Sequence, residues 1–369
     1  MTDFIPGLRL SEEFWREAVA PILAENFQNV PYSAALLGSG SEVLGFDTEM
    51  SSDHHWGPRV MLFLHEADHA RCHEALHLAF STQLPHTFHG YPTHFTPPNA
   101  EDHGTQLLQA VETGPINHRI DIFTLRSFWW DYLRFDLLLE IESVDWLTFP
   151  EQKLRSLVSG AVFHDEVGLQ ATRNRFAYYP RDVWLYLLAA GWTRLGQEEH
   201  LMGRAGYAGD EVGSALIGAR LVRDVMRLSF LMERQYAPYP KWFGTAFKQL
   251  ISAGHLWPVL QQALSALSWQ EREKHLSTAL EYLATRHNQL SITEPLPEKT
   301  TPFFGRPFRV IRGEKFSQAI CAHITDPTVR RLIRLPIIGS IDQISDNTDL
   351  LSDPRWRSTL RDLWQVEAP

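Results

Sequence analysis

Cysteine is nearly absent from this 369-residue sequence, which contains only Cys72 and Cys321. Two cysteines this far apart have no metal-ligand spacing and exclude a disulfide framework, so we expect a reduced compartment. No apolar run approaches the roughly 18 residues of a transmembrane helix, so no contact with a membrane is expected. The first residues lack a basic segment followed by an apolar one, so no secretory signal is predicted. Together these absences predict a cytoplasmic protein.

Positively charged residues are also comparatively few, because the sequence has 34 Lys and Arg residues and 44 Asp and Glu residues. The resulting net charge of −10 argues against an extensive nucleic-acid-binding surface, although a local basic groove is compatible with it. Large aromatic side chains are abundant, with 12 Trp and 21 Phe, and they predict well-packed cores. The length favours two domains.

Strand patterns come first along the chain and helical patterns later. A helix is predicted at about 11–27, followed by buried strands at 32–37, 60–64 and 120–123 and a helix at 67–80. Long helical patterns then follow at 150–163, 180–196, 210–236, 242–252 and 269–290. This order predicts an α+β fold: a mixed β-sheet with flanking helices over 1–148, then an all-α helical bundle over 149–293. Residues 294–369 are predicted to be a linker and a C-terminal extension that packs back on the body.

The residues with the clearest chemistry follow the first predicted strand. The turn Gly38-Ser39-Gly40-Ser41 is glycine-rich, which lets an anion approach the main chain closely and suits a phosphate. Thirteen residues separate Ser39 from Asp53, and His55 lies two positions later, on the same side if the segment is extended. Asp121, between two isoleucines, could project from the same face. Such ligands beside a phosphate site are what metal-assisted nucleotidyl transfer requires.

At these residues the sequence resembles the nucleotidyltransferase superfamily that includes DNA polymerase β and the aminoglycoside nucleotidyltransferases. The superfamily signature is an apolar strand, Gly-[Gly/Ser], a spacer, Asp-x-[Asp/Glu], and a third acid on a later strand. More closely, the chain resembles an uncharacterised bacterial family within that superfamily that has a C-terminal helical domain. Stretches that carry this resemblance include GSGSEVLGFDTEMSSDHHWGPR, GPINHRIDIFTL and YPRDVWLYLLAAGW.

The resemblance implies an enzyme that moves a nucleoside monophosphate from an NTP, such as ATP, to an acceptor hydroxyl. By position, Asp53 and Asp121 would be the catalytic acids, and they would bind Mg²⁺ or Mn²⁺ together with His55. Phosphate binding would fall to Gly38, Ser39 and Ser41. The acceptor stays open between a small molecule such as an antibiotic, a protein and an RNA end.

One signature position departs from the superfamily pattern, because His55 stands where the second acid is expected. Imidazole is a poor ligand for Mg²⁺, which prefers oxygen. His55 could bind a softer ion such as Mn²⁺, or Asp47 or Glu49 could supply the missing carboxylate. Alternatively, the chain could be a catalytically degenerate nucleotide-binding or regulatory protein.

The second half of the chain offers one basic and aromatic segment. It is either a wall of the nucleotide cleft or the packed face of an ordinary amphipathic helix. Lys241 is its best candidate for a triphosphate contact. The other members of the segment are Arg234, Lys248, Tyr236, Tyr239, Trp242 and Phe243. Further possible cleft residues without distinctive spacing are Arg173, Arg181, Asp210 and Glu211, whereas Arg220, Arg223 and Arg227 indicate a solvated or salt-bridged helix face.

The sequence also contains the zinc-protease pattern H-E-x-x-H twice, starting at His65 and at His73. Histidines at i and i+4 on a helix can chelate zinc, so a zinc metallohydrolase is a second alternative. However, Asp68 and Arg71 interrupt the apolar setting of a buried catalytic helix, and spacing indicates no third ligand. A solvated helix face rich in His and Glu is therefore favoured.

Overall fold

The computed structural model describes residues 4–52, 56–102 and 104–365. Up to residue 177, short helices alternate with strands. In chain order these elements are α1 (Gly7–Phe14), a π-helical turn (Trp15–Val19), α2 (Ala20–Asn26), β1 (Tyr32–Leu36), β2 (Arg59–Leu64), α3 (Glu66–Gln83), β3 (Thr87–Phe88), β4 (Tyr91–Pro92), β5 (Arg119–Thr124), α4 (Leu125–Leu133), α5 (Ser143–Thr148), α6 (Glu151–Val158), β6 (Ala161–Asp165) and α7 (Leu169–Asn174).

The remaining elements are mostly helical. They are α8 (Arg181–Tyr207), α9 (Glu211–Met232), α10 (Pro240–Phe247), α11 (Ala253–Ser265), α12 (Trp269–Gln289), β7 (Thr301–Phe303), β8 (Arg306–Val310), α13 (Gly313–Cys321), α14 (Pro327–Leu332), α15 (Ile341–Ile344), α16 (Thr348–Ser352) and α17 (Arg357–Leu360). None of the helices in the described part of the chain is both long and apolar enough to cross a membrane. The chain divides into two compact units, one of residues 1–140 and 153–177, the other of 141–152 and 178–369.

The first unit contains a four-stranded sheet in the order β5-β2-β1-β6. The sheet is mixed, because β2 and β5 run parallel whereas β1 is antiparallel to both of its neighbours. One face packs against the first three helices, where apolar side chains of β2 and β5 meet Leu76 and Phe80 of α3. A mixed sheet with helices, followed by a mainly helical region, confirms the predicted α+β class.

The helix predicted over 150–163 is too long. It ends at Val158, and Gly160, at φ +69°, leads into β6, which pairs antiparallel with β1. Asp165, at the end of β6, accepts hydrogen bonds from the Ser33 hydroxyl (2.6 Å) and from three main-chain N–H groups at the start of α7. The prediction failed here because the apolar pattern of a short edge strand resembles one turn of a helix.

The second unit is built around the long helices α8 and α9, joined by an Arg194–Asp224 pair at 2.8 Å and by Trp184 Nε1, which donates to the Leu231 carbonyl at 2.8 Å. The Asp210 side chain caps α9 by accepting the Gly213 N–H. Helix α11 was not predicted. The segment predicted as a linker also contains regular structure, because β7 and β8 form an antiparallel hairpin within it.

Candidate functional site

The end of β1 and the beginnings of β2 and β5 lie at one edge of the sheet. Because β1 is antiparallel to β2 and β2 is parallel to β5, Ala35, Met61 and Asp121 occupy one lateral row. The turn that starts at Gly38 follows β1 directly. Topology therefore brings Asp121 to the same edge of the sheet as the glycine-rich turn.

The Asp121 side chain projects from the face of the sheet opposite the one that packs against α3. Burial alternates along β5, with Ile120 and Ile122 buried in the α3 core and the side chains between them partly exposed. Phe123, which has the same parity as Asp121, contacts Phe128 of α4 at 5.5 Å between ring centroids. The Asp121 carboxylate is 39% exposed and lies 3.9 Å from Arg119 Nη2. The carboxylate is thus accessible to a ligand and lies beside the positively charged guanidinium group of Arg119.

Two arginines lie near this carboxylate and the turn. Arg59, on β2, pairs in register with Arg119 on β5. Arg59 Nη2 donates to the Ser39 carbonyl at 3.0 Å and to Glu42 Oε1 at 2.5 Å. Burial lowers the pKa of the Arg119 guanidinium, and Asp121 opposes that shift. Each arginine is thus paired with an acid, and the four groups together carry no net charge.

The turn itself is held by the helices next to it. Gly38 has φ +79°, a left-handed conformation that favours glycine, and its N–H donates to the Ser156 carbonyl at 3.2 Å. The Tyr132 hydroxyl hydrogen-bonds to the Ser39 and Ser156 side chains, and burial raises the pKa of Tyr132 to about 12. Gly38 thus shapes the turn, while its own N–H is already engaged.

A carboxylate of the chain itself lies against this turn. Gly40 has φ +144°, and a Cβ added there would come within 2.6 Å of Glu42 Oε2. Glu42 is buried, with 5% of its surface exposed, and is neutralised by Arg59. Ser41 is also buried, and its carbonyl accepts the Phe46 N–H at 3.0 Å. Any phosphate at this turn would therefore share its surroundings with Glu42.

Two of the predicted metal ligands, Asp53 and His55, lie outside the described residues. Of the two carboxylates considered as substitutes, Asp47 is engaged, because its Oδ2 accepts the Gly7 N–H at 2.6 Å and Trp56 Nε1 at 3.0 Å. Glu49 is exposed in the first turn of a short 3₁₀ helix. Asp121 is consequently the one member of the predicted metal set that the described part of the chain contains.

The described residues do not by themselves form a cation site. Within 4–52, 56–102 and 104–365, no group of three or more His, Cys, Asp or Glu side chains could hold a metal ion. Asp121 has the oxygen chemistry that Mg²⁺ and Mn²⁺ prefer, but one carboxylate beside an arginine is not sufficient. A cation at this position would need further ligands, and the predicted ones, Asp53 and His55, lie outside the described residues.

The histidines of the two H-E-x-x-H patterns line α3 along the open edge of β5. His69, His73 and His77 follow one another with 4.7 Å between ring centroids, and His69 Nε2 lies 3.3 Å from the Ile122 carbonyl. His77 stacks on His118 at 5.1 Å. This row covers the exposed hydrogen-bonding groups of an edge strand.

His118 is neutral and its hydrogen bonds fix its tautomer; the absence of a three-ligand group in the described part of the chain extends to this row of histidines. Its Nδ1 accepts the Ile120 N–H at 3.1 Å, so in the neutral ring the proton is on Nε2, which points at the His77 carbonyl (3.3 Å) and Nδ1 (3.4 Å). Burial lowers the pKa of His118 to about 4, and it also lowers the pKa of His77. The nitrogen that faces His77 is thus a donor and offers no lone pair to a metal.

The remaining predicted residue, Lys241, lies in the second unit. It is exposed on α10, with Nζ 5.0 Å from the centroid of the Trp242 ring. Of the residues that the prediction missed, Arg119 had a readable signal, since its spacing from Asp121 on a strand places both on one face. Tyr132 and Ser156 had none, because their helices reach the turn only through the tertiary fold.

Comparisons with known proteins add limited information. Residues 146–243 match the family model described as Domain of unknown function (DUF4037). Comparison with curated proteins finds no match. Among solved structures, the crystal structure of a nucleotidyltransferase-like protein from Exiguobacterium sibiricum 255-15 is similar, with 11% identity, over 76% of this chain and 78% of that chain. The TM-score is 0.30, a similarity that establishes neither a common superfamily nor an activity.

Proposed function

We propose that this chain is a metal-dependent nucleotidyltransferase that moves a nucleoside monophosphate from an NTP to an acceptor hydroxyl. The observation that carries the proposal is the lateral row of Ala35, Met61 and Asp121, which brings a partly exposed carboxylate to the edge that bears the glycine-rich turn. In the reaction the acceptor oxygen bonds to the α-phosphorus. The bond from that phosphorus to the bridging oxygen breaks, and pyrophosphate leaves.

Each residue in the proposal has a role that its chemistry allows. Gly38, Ser39 and Ser41 would surround the triphosphate, which would compete with Glu42 and Asp121 for the guanidinium groups of Arg59 and Arg119. Nearby, Asp121 would orient the acceptor and, with Asp53 and His55, hold Mg²⁺ or Mn²⁺. The cation would neutralise charge on the phosphates and acidify the acceptor hydroxyl.

The direct test uses the four α-labelled NTPs, each with Mg²⁺ or Mn²⁺ and with fractionated cell extract as the source of acceptor. Transfer of label and release of pyrophosphate are measured for the wild type, Asp121→Asn and Asp131→Asn. Asp131 is a matched control, because its side chain is 66% exposed on α4 and its ion pair is with Arg134 at 3.9 Å rather than with a group of the turn. We expect Asp121→Asn to lower the rate about a hundredfold or more, and Asp131→Asn to leave it unchanged. Equal rates for all three proteins would refute the role of Asp121.

A second candidate function is nucleotide binding without turnover. One observation favours it: His55 stands where the superfamily signature has its second acid. Imidazole is a poor ligand for Mg²⁺, so a triphosphate could bind without the cation that turnover requires. In this case calorimetry detects NTP binding to the wild type, while no pyrophosphate appears with any acceptor fraction. Turnover would eliminate this candidate.

A further inference from the structure

The second unit contains a cavity of about 260 Å³ that shares no residue with the proposed transfer site. Its volume lies just below the roughly 300–1,000 Å³ of typical ligand pockets, which limits an occupant to a small molecule. Most of its wall comes from the segment 146–243. Its charged lining residues are Glu151, Asp342, Asp346, Arg223 and Arg227.

Two buried carboxyl groups form the polar side of this cavity. Glu151 and Asp342 are 6% and 7% exposed, and the Glu151 N–H donates to Asp342 Oδ2 at 2.9 Å. A single guanidinium serves both, because Arg227 Nη1 lies 3.6 Å from Glu151 Oε2 and attracts Asp342 as well. The other arginine, Arg223, is paired with Asp346 at 2.5 Å. Across these groups acid exceeds base by one.

At neutral pH the environment favours a proton on Glu151. Burial, together with the charge of Asp342, raises the pKa of Glu151 to about 8, and burial raises the pKa of Asp342. The neighbouring phenols do not compensate, because burial raises the pKa of each of them well above its usual value and keeps them neutral. These phenols are Tyr178, Tyr179 and Tyr236.

Much of the remaining lining is apolar. It includes Phe243, Leu351, Ala237 and the two prolines Pro238 and Pro240. An occupant therefore meets apolar groups together with three acids and two arginines. The acid in excess disfavours a phosphate or carboxylate group, whereas a cation can replace the proton on Glu151.

We propose that this cavity binds a small organic cation, whose ammonium group lies at Glu151 and Asp342 and whose apolar body packs on Phe243 and the prolines. The site is independent of the transfer reaction proposed above. It explains why two carboxyl groups remain buried with one arginine, an arrangement that is costly for folding alone.

The test compares three probes of one size: butylammonium, 1-butanol and butyrate. Binding to the full-length chain is measured at pH 7 by calorimetry in two buffers of different ionisation enthalpy, which reports any proton released. We expect butylammonium alone to bind and to release a proton from the carboxyl pair. Glu151→Gln should weaken that binding about tenfold or more, because it removes the charge that the ammonium pairs with. Asp349→Asn is the matched control, since Asp349 is an exposed acid on α16 outside the cavity.

Three results would overturn the proposal. The first is no binding of butylammonium, the second is equal binding of 1-butanol or butyrate, and the third is unchanged affinity in a folded Glu151→Gln variant. Circular dichroism checks the fold of each variant. If Glu151→Gln does not fold, the wild-type calorimetry in the two buffers decides the question. Binding of butylammonium without release of a proton would then contradict the placement of its ammonium group at the two carboxyl groups.

Discussion

Removal of the Arg59 side-chain charge should strongly destabilise the first unit. Glu42 and Arg59 have side chains only 6% and 9% exposed and lie 2.5 Å apart, and the same guanidinium also satisfies the Ser39 carbonyl. Arg59→Met keeps the length of the side chain but leaves the buried carboxylate uncompensated. Breaking one partner of a buried pair in this way costs about 3–5 kcal/mol, so we expect a loss of that order in the free energy of unfolding.

A variant that also removes the charge of Glu42 tests whether the uncompensated carboxylate causes the loss of stability. In Glu42→Gln/Arg59→Met the buried negative charge is gone, so the double variant should be less destabilised than the sum of the single variants. Arg9→Met is the control, since the Arg9 side chain is 71% exposed in its pair with Glu13 and should have little effect.

Urea unfolding followed by circular dichroism measures the total effect. Hydrogen exchange of peptides from β1 and β2 locates it in the first unit, which matters because a chain of two units need not unfold in one step. A loss below about 1 kcal/mol for Arg59→Met, or additive effects in the double variant, would refute the view that this pair depends on mutual neutralisation.

Two further predictions concern stability. Gly160→Ala should lower the free energy of unfolding by at least about 1–3 kcal/mol, because the backbone there has φ +69° and an added Cβ would come 2.1 Å from the Leu36 carbonyl oxygen. Gly168→Ala is the control, since Gly168 has φ +81° but open space around it, and the difference between the two variants measures the effect of the steric clash. Urea unfolding that ranks the two variants equally would contradict this. Burial lowers the pKa of His118 from 6.5 to about 4, so the folded state resists protonation and the free energy of unfolding should fall by up to about 3 kcal/mol as the pH drops between these values. His118→Gln should flatten that pH dependence, and an unchanged slope would contradict the buried neutral ring.

Charges at the sheet edge are arranged so that positive groups lie between two acids. Arg59 faces Glu42 at the turn, and Arg119 faces Asp121 at the edge strand. A triphosphate entering this region would compete with both carboxylates for the guanidinium groups. Because Glu42 is buried and Asp121 is partly exposed, ligand binding should change the environment of Asp121 first. This difference makes Asp121, rather than Glu42, the informative residue for activity measurements.

Local patterns were sufficient for much of the first unit. Runs of apolar residues correctly predicted β1 and β2, because a buried strand of five or six residues leaves a continuous signature in the sequence. The strand β5 was predicted from apolar residues on both sides of a single acid. The alternation around Asp121 also indicated a residue on one face of a strand. Gly38 lies at the same edge of the sheet as the beginning of this strand because of the order in which the strands pair. No local sequence pattern encodes that order.

Only the tertiary structure decided what surrounds each candidate residue. The turn at Gly38 depends on Ser156, more than 100 residues away, and on Tyr132, and the carboxylate pair of Glu151 and Asp342 joins positions 191 residues apart. A charge in the sequence carries no information about its partner, since burial and neutralisation arise when distant segments pack together. Local sequence therefore accounts for three of the strands and for the types of side chain near the glycine-rich turn. Tertiary packing fixes which of these side chains are held by partners within the chain and which are left accessible.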